Sequence, residues 1–98
     1  MKLSVLKNDV ISQEVDFGNE IVEGASVPTT FIIGRSKECF VALDDKSISR
    51  EHLELTYHGG TWFLKSKNAE NKFVCNGIEL TEIQVSPGMQ VKVGLFDL

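Results

Sequence analysis

The sequence predicts an all-β protein built as a sandwich of two antiparallel sheets. Apolar residues recur at every second position, the apolar segments are short, and turn-forming residues separate them at regular intervals. No segment of the sequence shows helical spacing. A chain of 98 residues buries only about 60–65% of its unfolded surface, so residues 1–98 are expected to form a single domain.

A hairpin over residues 53–65 carries the clearest alternation. Residues 53, 55 and 57 are apolar, and after Gly59-Gly60 the pattern resumes with Trp62 and Leu64. A tight hairpin turn requires positive φ at its central residues, which glycine adopts without a steric clash. The two glycines therefore predict the point at which the chain reverses.

Further short strands are predicted on both sides of this hairpin, at residues 3–6, 11–17, 30–33, 40–43, 73–75, 78–80, 90–93 and 95–98. Residues that favour reversals lie between them: Asn8-Asp9, Gly18-Asn19, Asp44-Asp45, Asn76-Gly77 and Pro87-Gly88. Residues 18–29 do not follow the alternation and are predicted to form a long loop.

Composition and charge exclude several classes of protein. The net charge of −4 disfavours a nucleic-acid partner, because neutralising several backbone phosphates normally requires a basic face. The sequence shows no export signal and no apolar stretch long enough to span a bilayer, which predicts a cytoplasmic protein without a membrane partner. Two cysteines, Cys39 and Cys75, are too few for a disulfide framework and are predicted to be reduced.

Two segments contain residue types suited to phosphate. Arg35 follows directly after the apolar run 31–33 and Gly34, and a guanidinium offers a planar fork of donors with a permanent charge. The polar loop 44–52 contains Ser49, Arg50 and His52. Taken singly, the arginine also fits a solvated surface charge and the loop also fits an ordinary surface turn.

Taken together, these motifs resemble the forkhead-associated (FHA) domain. Gly34-Arg35 is followed, fourteen residues after the arginine, by Ser49-Arg50-Glu51-His52, and then by Asn71 and Asn76-Gly77. The resemblance covers about residues 30–95. It implies an eleven-stranded β-sandwich whose loops at one end bind phosphothreonine.

The resemblance also implies roles for individual residues. Arg35 would contact the phosphate, Ser49 would donate its hydroxyl to a phosphate oxygen, and Arg50 would add charge or a main-chain donor. Asn71 would bind the main chain of the ligand, because a primary amide donates and accepts at once. Four further motif residues are expected to be structural: Gly34, His52, Asn76 and Gly77.

Glu70 departs from the family pattern, which commonly has threonine or serine before the asparagine. A carboxylate about 4 Å from the phosphate would oppose binding by about 4 kcal/mol at an effective dielectric constant near 20. A shifted alignment would place Lys67-Asn68 there instead. The gap-free spacing to Asn76-Gly77 favours Asn71.

The predicted partner is a phosphothreonine-containing protein or segment, bound in cis or in trans and produced by an upstream Ser/Thr kinase. The apolar end at residues 95–98 suggests a module of a longer protein that regulates a fused domain. The alternative function is a degenerate FHA fold that binds proteins without phosphate.

An enzyme is not expected, because Ser49 and His52 lack a visible orienting group and oxyanion site. No cofactor is predicted. No metal site is predicted either, since His52, His58, Cys39 and Cys75 do not have ligand spacing.

Overall fold

The computed structural model describes residues 2–17, 28–68, 70–86 and 88–98. These residues contain eleven strands in two sheets, which confirms the predicted β-sandwich. The described part of the chain has no helix that is long and apolar enough to cross a membrane. The strands are β1 (Lys2–Lys7), β2 (Val10–Asp16), β3 (Thr29–Gly34), β4 (Val41–Ala42), β5 (Leu53–His58), β6 (Thr61–Ser66), β7 (Phe73–Cys75), β8 (Ile78–Leu80), β9 (Glu82–Val85), β10 (Lys92–Val93) and β11 (Phe96–Asp97).

One sheet has six strands in the order β2-β1-β11-β10-β7-β8, and the other has five in the order β4-β3-β5-β6-β9. Within the described residues every pair is antiparallel except β3 and β4, which run parallel with Ile33 beside Val41. The parallel pair arises because residues 35–40 lead the chain back alongside β3. A two-residue edge strand has no periodicity of its own, so the sequence did not indicate this pairing.

The predicted reversals carry the expected backbone. Asn8-Asp9, Gly59-Gly60 and Asn76-Gly77 all have positive φ at both residues, as the tight turns of twisted hairpins require. Gly88 also has positive φ, at 81°. Pro87, the Gly18-Asn19 turn and most of the loop predicted at 18–29 lie outside the described residues, and Thr29 already belongs to β3.

Strand β9 was missed at the sequence level. Its residues 82–85 alternate between exposed and half-buried side chains, so the period-two signal was present but short. The predicted strand at 90–93 is shorter than expected, because only Lys92 and Val93 pair as a strand. The core between the sheets is formed by buried apolar residues of both sheets and of the loops that flank the strands: Val5, Phe17, Phe31, Ile33, Val41, Leu43, Ile48, Leu53, Leu55, Leu64, Phe73, Cys75, Val91, Val93 and Phe96.

The register of the five-stranded sheet determines where three loops meet. Ile33 near the end of β3 lies opposite Leu53 at the start of β5, and Leu53 lies opposite Ser66 at the end of β6. The chain leaves the sheet just beyond this row in all three strands. The β3–β4, β4–β5 and β6–β7 loops therefore emerge side by side at one end of the sandwich.

Candidate functional site

Main-chain hydrogen bonds join the first two of these loops. The Arg35 N–H donates to the Ser49 carbonyl at 2.9 Å, and the Ser36 N–H donates to the Arg50 carbonyl at 3.1 Å. A third bond of this kind lies next to the sheet, where the His52 N–H donates to the Ile33 carbonyl at 2.9 Å. Arg35 and Ser49 thus lie at the same end of the sandwich, on adjacent segments of main chain.

Gly34 is buried where the two loops come closest together. A Cβ added there would lie 2.8 Å from the carbonyl carbon of Arg50 and 2.9 Å from the Cα of Glu51, with the Arg50 carbonyl oxygen closer still. These are main-chain atoms, so no rotamer change relieves the clash. Glycine is required here because the β4–β5 loop packs directly on the end of β3.

His52 connects the second loop to the third. Its Nδ1 accepts a hydrogen bond from the Ser49 main-chain N–H at 2.9 Å, and its carbonyl accepts from the Lys67 N–H at 3.0 Å. The ring is only 5% exposed, and its Nε2 has no hydrogen-bond partner among the described residues. In a catalytic pair the histidine would accept from the serine hydroxyl. Here His52 accepts from the main-chain N–H of Ser49 instead.

The buried imidazole makes the stability of the domain pH-dependent. Burial lowers the pKa of His52 below its ordinary value, because the charged ring would lose hydration. The unfolded chain then takes up a proton at a higher pH than the folded chain. The contribution of His52 to stability is therefore fully present above about pH 6.5, and it decreases as the pH falls below that value.

We expect the contribution of this group to decrease the free energy of unfolding between pH 7.5 and pH 5.5, because the unfolded chain is protonated first. Urea unfolding of the wild type and of His52→Asn at both pH values measures the contribution, since asparagine retains an acceptor but does not titrate. Exposed His58 provides the matched control, His58→Asn. Equal pH dependence in wild type and His52→Asn would rule out this assignment.

Asn71 brings the third loop to Ser49. The Ser49 hydroxyl donates to Asn71 Oδ1 at 3.1 Å, and the Ser66 hydroxyl donates to the Asn71 carbonyl. Asn68 instead forms the turn, because its carbonyl accepts from the Asn71 N–H at 2.9 Å and its Oδ1 accepts from the Glu70 N–H at 2.8 Å. This geometry favours the Asn71 alignment over the alternative at Asn68.

Ser66 was not identified from the sequence. It is 6% exposed and continues the inward-facing series of Trp62 and Leu64 along β6. A hydroxyl at an inward position of a strand needs a hydrogen-bond partner. In the sequence, Ser66 interrupts the apolar series of Trp62 and Leu64. This interruption indicates a specific polar contact at the end of β6.

Two arginines lie in the first two loops. The side chains of Arg35 and Arg50 are exposed, and neither forms an ion pair with a described residue. Lys67 differs, because its Nζ lies 3.3 Å from Glu54 and 3.5 Å from Glu51. The hydrogen bond that Lys67 donates to Glu54 is the main reason that the pKa of Lys67 is raised.

Glu70 is exposed and lines a shallow depression together with Lys72, Val74 and Glu79. Lys72 forms an ion pair with Glu79 at 3.7 Å. The depression does not include Arg35, Ser49 or Arg50. Glu70 therefore borders the β7–β8 hairpin, whose turn is formed by Asn76 and Gly77.

The β4–β5 loop is fixed by contacts on its other side. Asp45 Oδ1 accepts from the Ser47 N–H at 2.9 Å, which is the main reason that the pKa of Asp45 is lowered. Lys7 forms an ion pair with Asp45 at 3.3 Å. The side chain of Ile48 is buried in the core, so Ser49 extends from an anchored segment.

Cys39 contributes to the same junction. Its thiol donates to the Arg50 carbonyl at 3.1 Å, and burial is the main cause that raises its pKa. Cys39 and Cys75 are both free thiols, the latter within the core. The described residues contain no cluster of histidine, cysteine and carboxylate side chains suited to a metal ion.

These features agree with comparisons to known proteins. A family model for the FHA domain matches residues 31–94, and the chain belongs to the FHA domain family. FHA domains are known as phosphothreonine-binding interaction modules. A search of curated proteins found no match.

Solved FHA domains share the fold. The FhaA FHA domain, crystallised with the intracellular domain of Rv3910, is 24% identical with a TM-score of 0.72, and the match covers 96% of this chain and 93% of that one. A domain from a study of phosphothreonine-dependent FHA interactions is 24% identical, with a TM-score of 0.74 and coverage of 99% and 92%. The FHA domain of CT664 from Chlamydia trachomatis is 20% identical, with a TM-score of 0.72 and coverage of 96% and 88%.

Proposed function

We propose that this domain binds a phosphothreonine-containing polypeptide at the end of the sandwich where the three loops meet. The hydrogen bond from the Arg35 N–H to the Ser49 carbonyl at 2.9 Å carries the proposal. It fixes the main chain of a guanidinium residue beside that of a hydroxyl residue from a separate loop. Family membership supports the ligand class.

Charge supports the same proposal. A phosphothreonine carries about −1.5 to −2 charges at neutral pH and three acceptor oxygens. Arg35 and Arg50 are exposed without ion pairs to the described residues, so binding a phosphate does not require an existing salt bridge to break. Each charge-assisted hydrogen bond contributes about 1.5–3 kcal/mol, so two or three of them give affinity near the micromolar range after ordering costs.

Asn71 is proposed to contact the main chain of the ligand beside the phosphate. Its own main chain is fixed by the Ser66 hydroxyl and by the Asn68 carbonyl, so its amide projects from a rigid turn. Glu70 lines a depression that does not include Arg35, Ser49 or Arg50, and its carboxylate is proposed to point away from the bound phosphate. The proposed partner is a phosphorylated protein or a segment of the same chain, modified by a Ser/Thr kinase in the cytoplasm.

The proposal is tested by measuring affinity for matched peptides. A phosphothreonine peptide-library screen first supplies a ligand, which is then made with threonine, phosphothreonine or glutamate at the central position. Calorimetry is expected to show at least about 100-fold tighter binding of the phosphothreonine peptide than of either other form. Similar affinities for the three peptides would instead support the phosphate-independent interaction module.

A further inference from the structure

The Ser49 hydroxyl already has an acceptor in the free domain. It donates to Asn71 Oδ1 at 3.1 Å, and a serine hydroxyl has one proton to donate. The Ser49 main-chain N–H is also committed, because it donates to His52 Nδ1 at 2.9 Å. A phosphate oxygen that accepts the hydrogen bond of this hydroxyl must therefore replace Asn71 Oδ1 as the acceptor.

Displacement leaves the amide oxygen of Asn71 without its donor. The residue itself cannot withdraw, because its carbonyl accepts from Ser66 and its N–H donates to Asn68. A partly buried amide oxygen that loses its donor favours a new one, and the main-chain N–H groups of a bound peptide can supply it. The amide thus gains capacity for the peptide at the step in which the phosphate binds.

We propose that the Ser49 hydroxyl exchanges its hydrogen-bond acceptor on binding, from Asn71 Oδ1 to a phosphate oxygen. This exchange couples recognition of the phosphate to recognition of the peptide main chain. The inference rests on the proposed function and adds a mechanism to it. An unphosphorylated peptide encounters an Asn71 oxygen that already accepts one of the two hydrogen bonds available to an amide oxygen. Inorganic phosphate must break the Ser49–Asn71 hydrogen bond and brings no main-chain N–H to the Asn71 oxygen.

This exchange predicts opposite effects of one substitution on two ligands. Asn71→Ala removes the competing acceptor, so inorganic phosphate is expected to bind about 2- to 5-fold more tightly than to the wild type. The same variant loses the contact to the peptide main chain, so the phosphothreonine peptide is expected to bind about 5- to 10-fold more weakly. Amide chemical shifts, followed at constant ionic strength and pH 7.5, measure both affinities.

A second variant changes the acceptor in the other direction. Asn71→Asp presents a carboxylate, which accepts the Ser49 hydroxyl more strongly and also repels a dianion. Inorganic phosphate is expected to bind at least about 5-fold more weakly to this variant. Gln84→Ala, which removes an exposed amide on edge strand β9, is the matched control and is expected to bind both ligands as the wild type does.

The outcomes separate this inference from the function on which it rests. Weaker binding of both ligands to Asn71→Ala, or unchanged phosphate affinity in Asn71→Asp, would overturn the exchange while leaving a phosphothreonine reader intact. A wild type that does not distinguish phosphorylated from unphosphorylated peptide would overturn the function itself. Opposite changes in Asn71→Ala, with Gln84→Ala unchanged, support the exchange.

Discussion

Replacing Gly34 by alanine is expected to destabilise the domain by about 3 kcal/mol or more. The added Cβ would lie within 2.8 Å of the Arg50 carbonyl carbon and 2.9 Å of the Glu51 Cα. Relief requires the β4–β5 loop to move away from the end of β3. The hydrogen bonds from Arg35 and Ser36 to that loop would then lengthen or break.

Thermal unfolding measures this effect, and a decrease of the midpoint by more than about 10 °C is expected for a domain of this size. Gly60→Ala is the matched control, because a Cβ at Gly60 meets no atom within 4 Å although its φ is 82°. That variant reports only the cost of positive φ for alanine, about 1 kcal/mol. Equal midpoints for the two variants would show that the close approach of the loop is not what requires Gly34.

Replacing Arg35 by alanine is expected to weaken binding of a phosphothreonine peptide by about 30- to 100-fold, with little change in stability. The magnitude follows from losing charge-assisted hydrogen bonds worth about 2–3 kcal/mol. Stability is expected to hold because the side chain is exposed and forms no ion pair with a described residue. Its main-chain N–H, which joins the loops, remains in the variant.

Two further variants separate geometry from charge. Arg35→Lys keeps the charge but loses the planar fork, so it is expected to recover only part of the affinity. Lys37→Ala removes an exposed cation from the same loop and is expected to weaken binding less than about 3-fold. Calorimetry on all three would contradict a specific phosphate contact if Lys37→Ala reduced affinity as much as Arg35→Ala.

The sequence predicted those parts of the fold that are specified locally. Gly59-Gly60 and Asn76-Gly77 require positive φ wherever they occur in a tight hairpin, so the turns followed from residue type alone. The β5–β6 hairpin followed because both strands alternate strictly and the turn between them sets their register. Strand β9 was missed because four residues next to Thr81 carry too short an alternation to be conclusive.

Other features depend on long-range pairing and could not be predicted from one sequence. The row formed by Ile33, Leu53 and Ser66 depends on the β3–β5 register and the β5–β6 register. Only the β5–β6 register is set by a short turn. The spacing to Asn76-Gly77 favoured Asn71 over Asn68, but the hydrogen bond that joins Asn71 to Ser49 spans 22 residues of sequence and was not predicted. The role of Ser66 was also not predictable, because its hydrogen-bond partner, Asn71, lies beyond the end of β6.

The position of Glu70 shows the limit of a charge argument made without geometry. A carboxylate next to Asn71 in sequence predicts repulsion of a phosphate if the two lie about 4 Å apart. In the structure the Glu70 main-chain N–H is bound by Asn68, and Glu70 lines a depression with Lys72 and Glu79 that does not include Arg35 or Ser49. Sequence adjacency alone does not give the distance between the carboxylate and the phosphate.

If Arg35 and Ser49 bind the same phosphate, a phosphothreonine peptide should shift their amide resonances together. We expect the largest changes at Arg35, Ser49 and Asn71, and none of these changes with the unphosphorylated peptide. The outer face of the five-stranded sheet, near Thr56 and Phe63, is expected to change little. Largest changes on that face, with Arg35 and Ser49 unaffected, would show that the two residues do not share a phosphate.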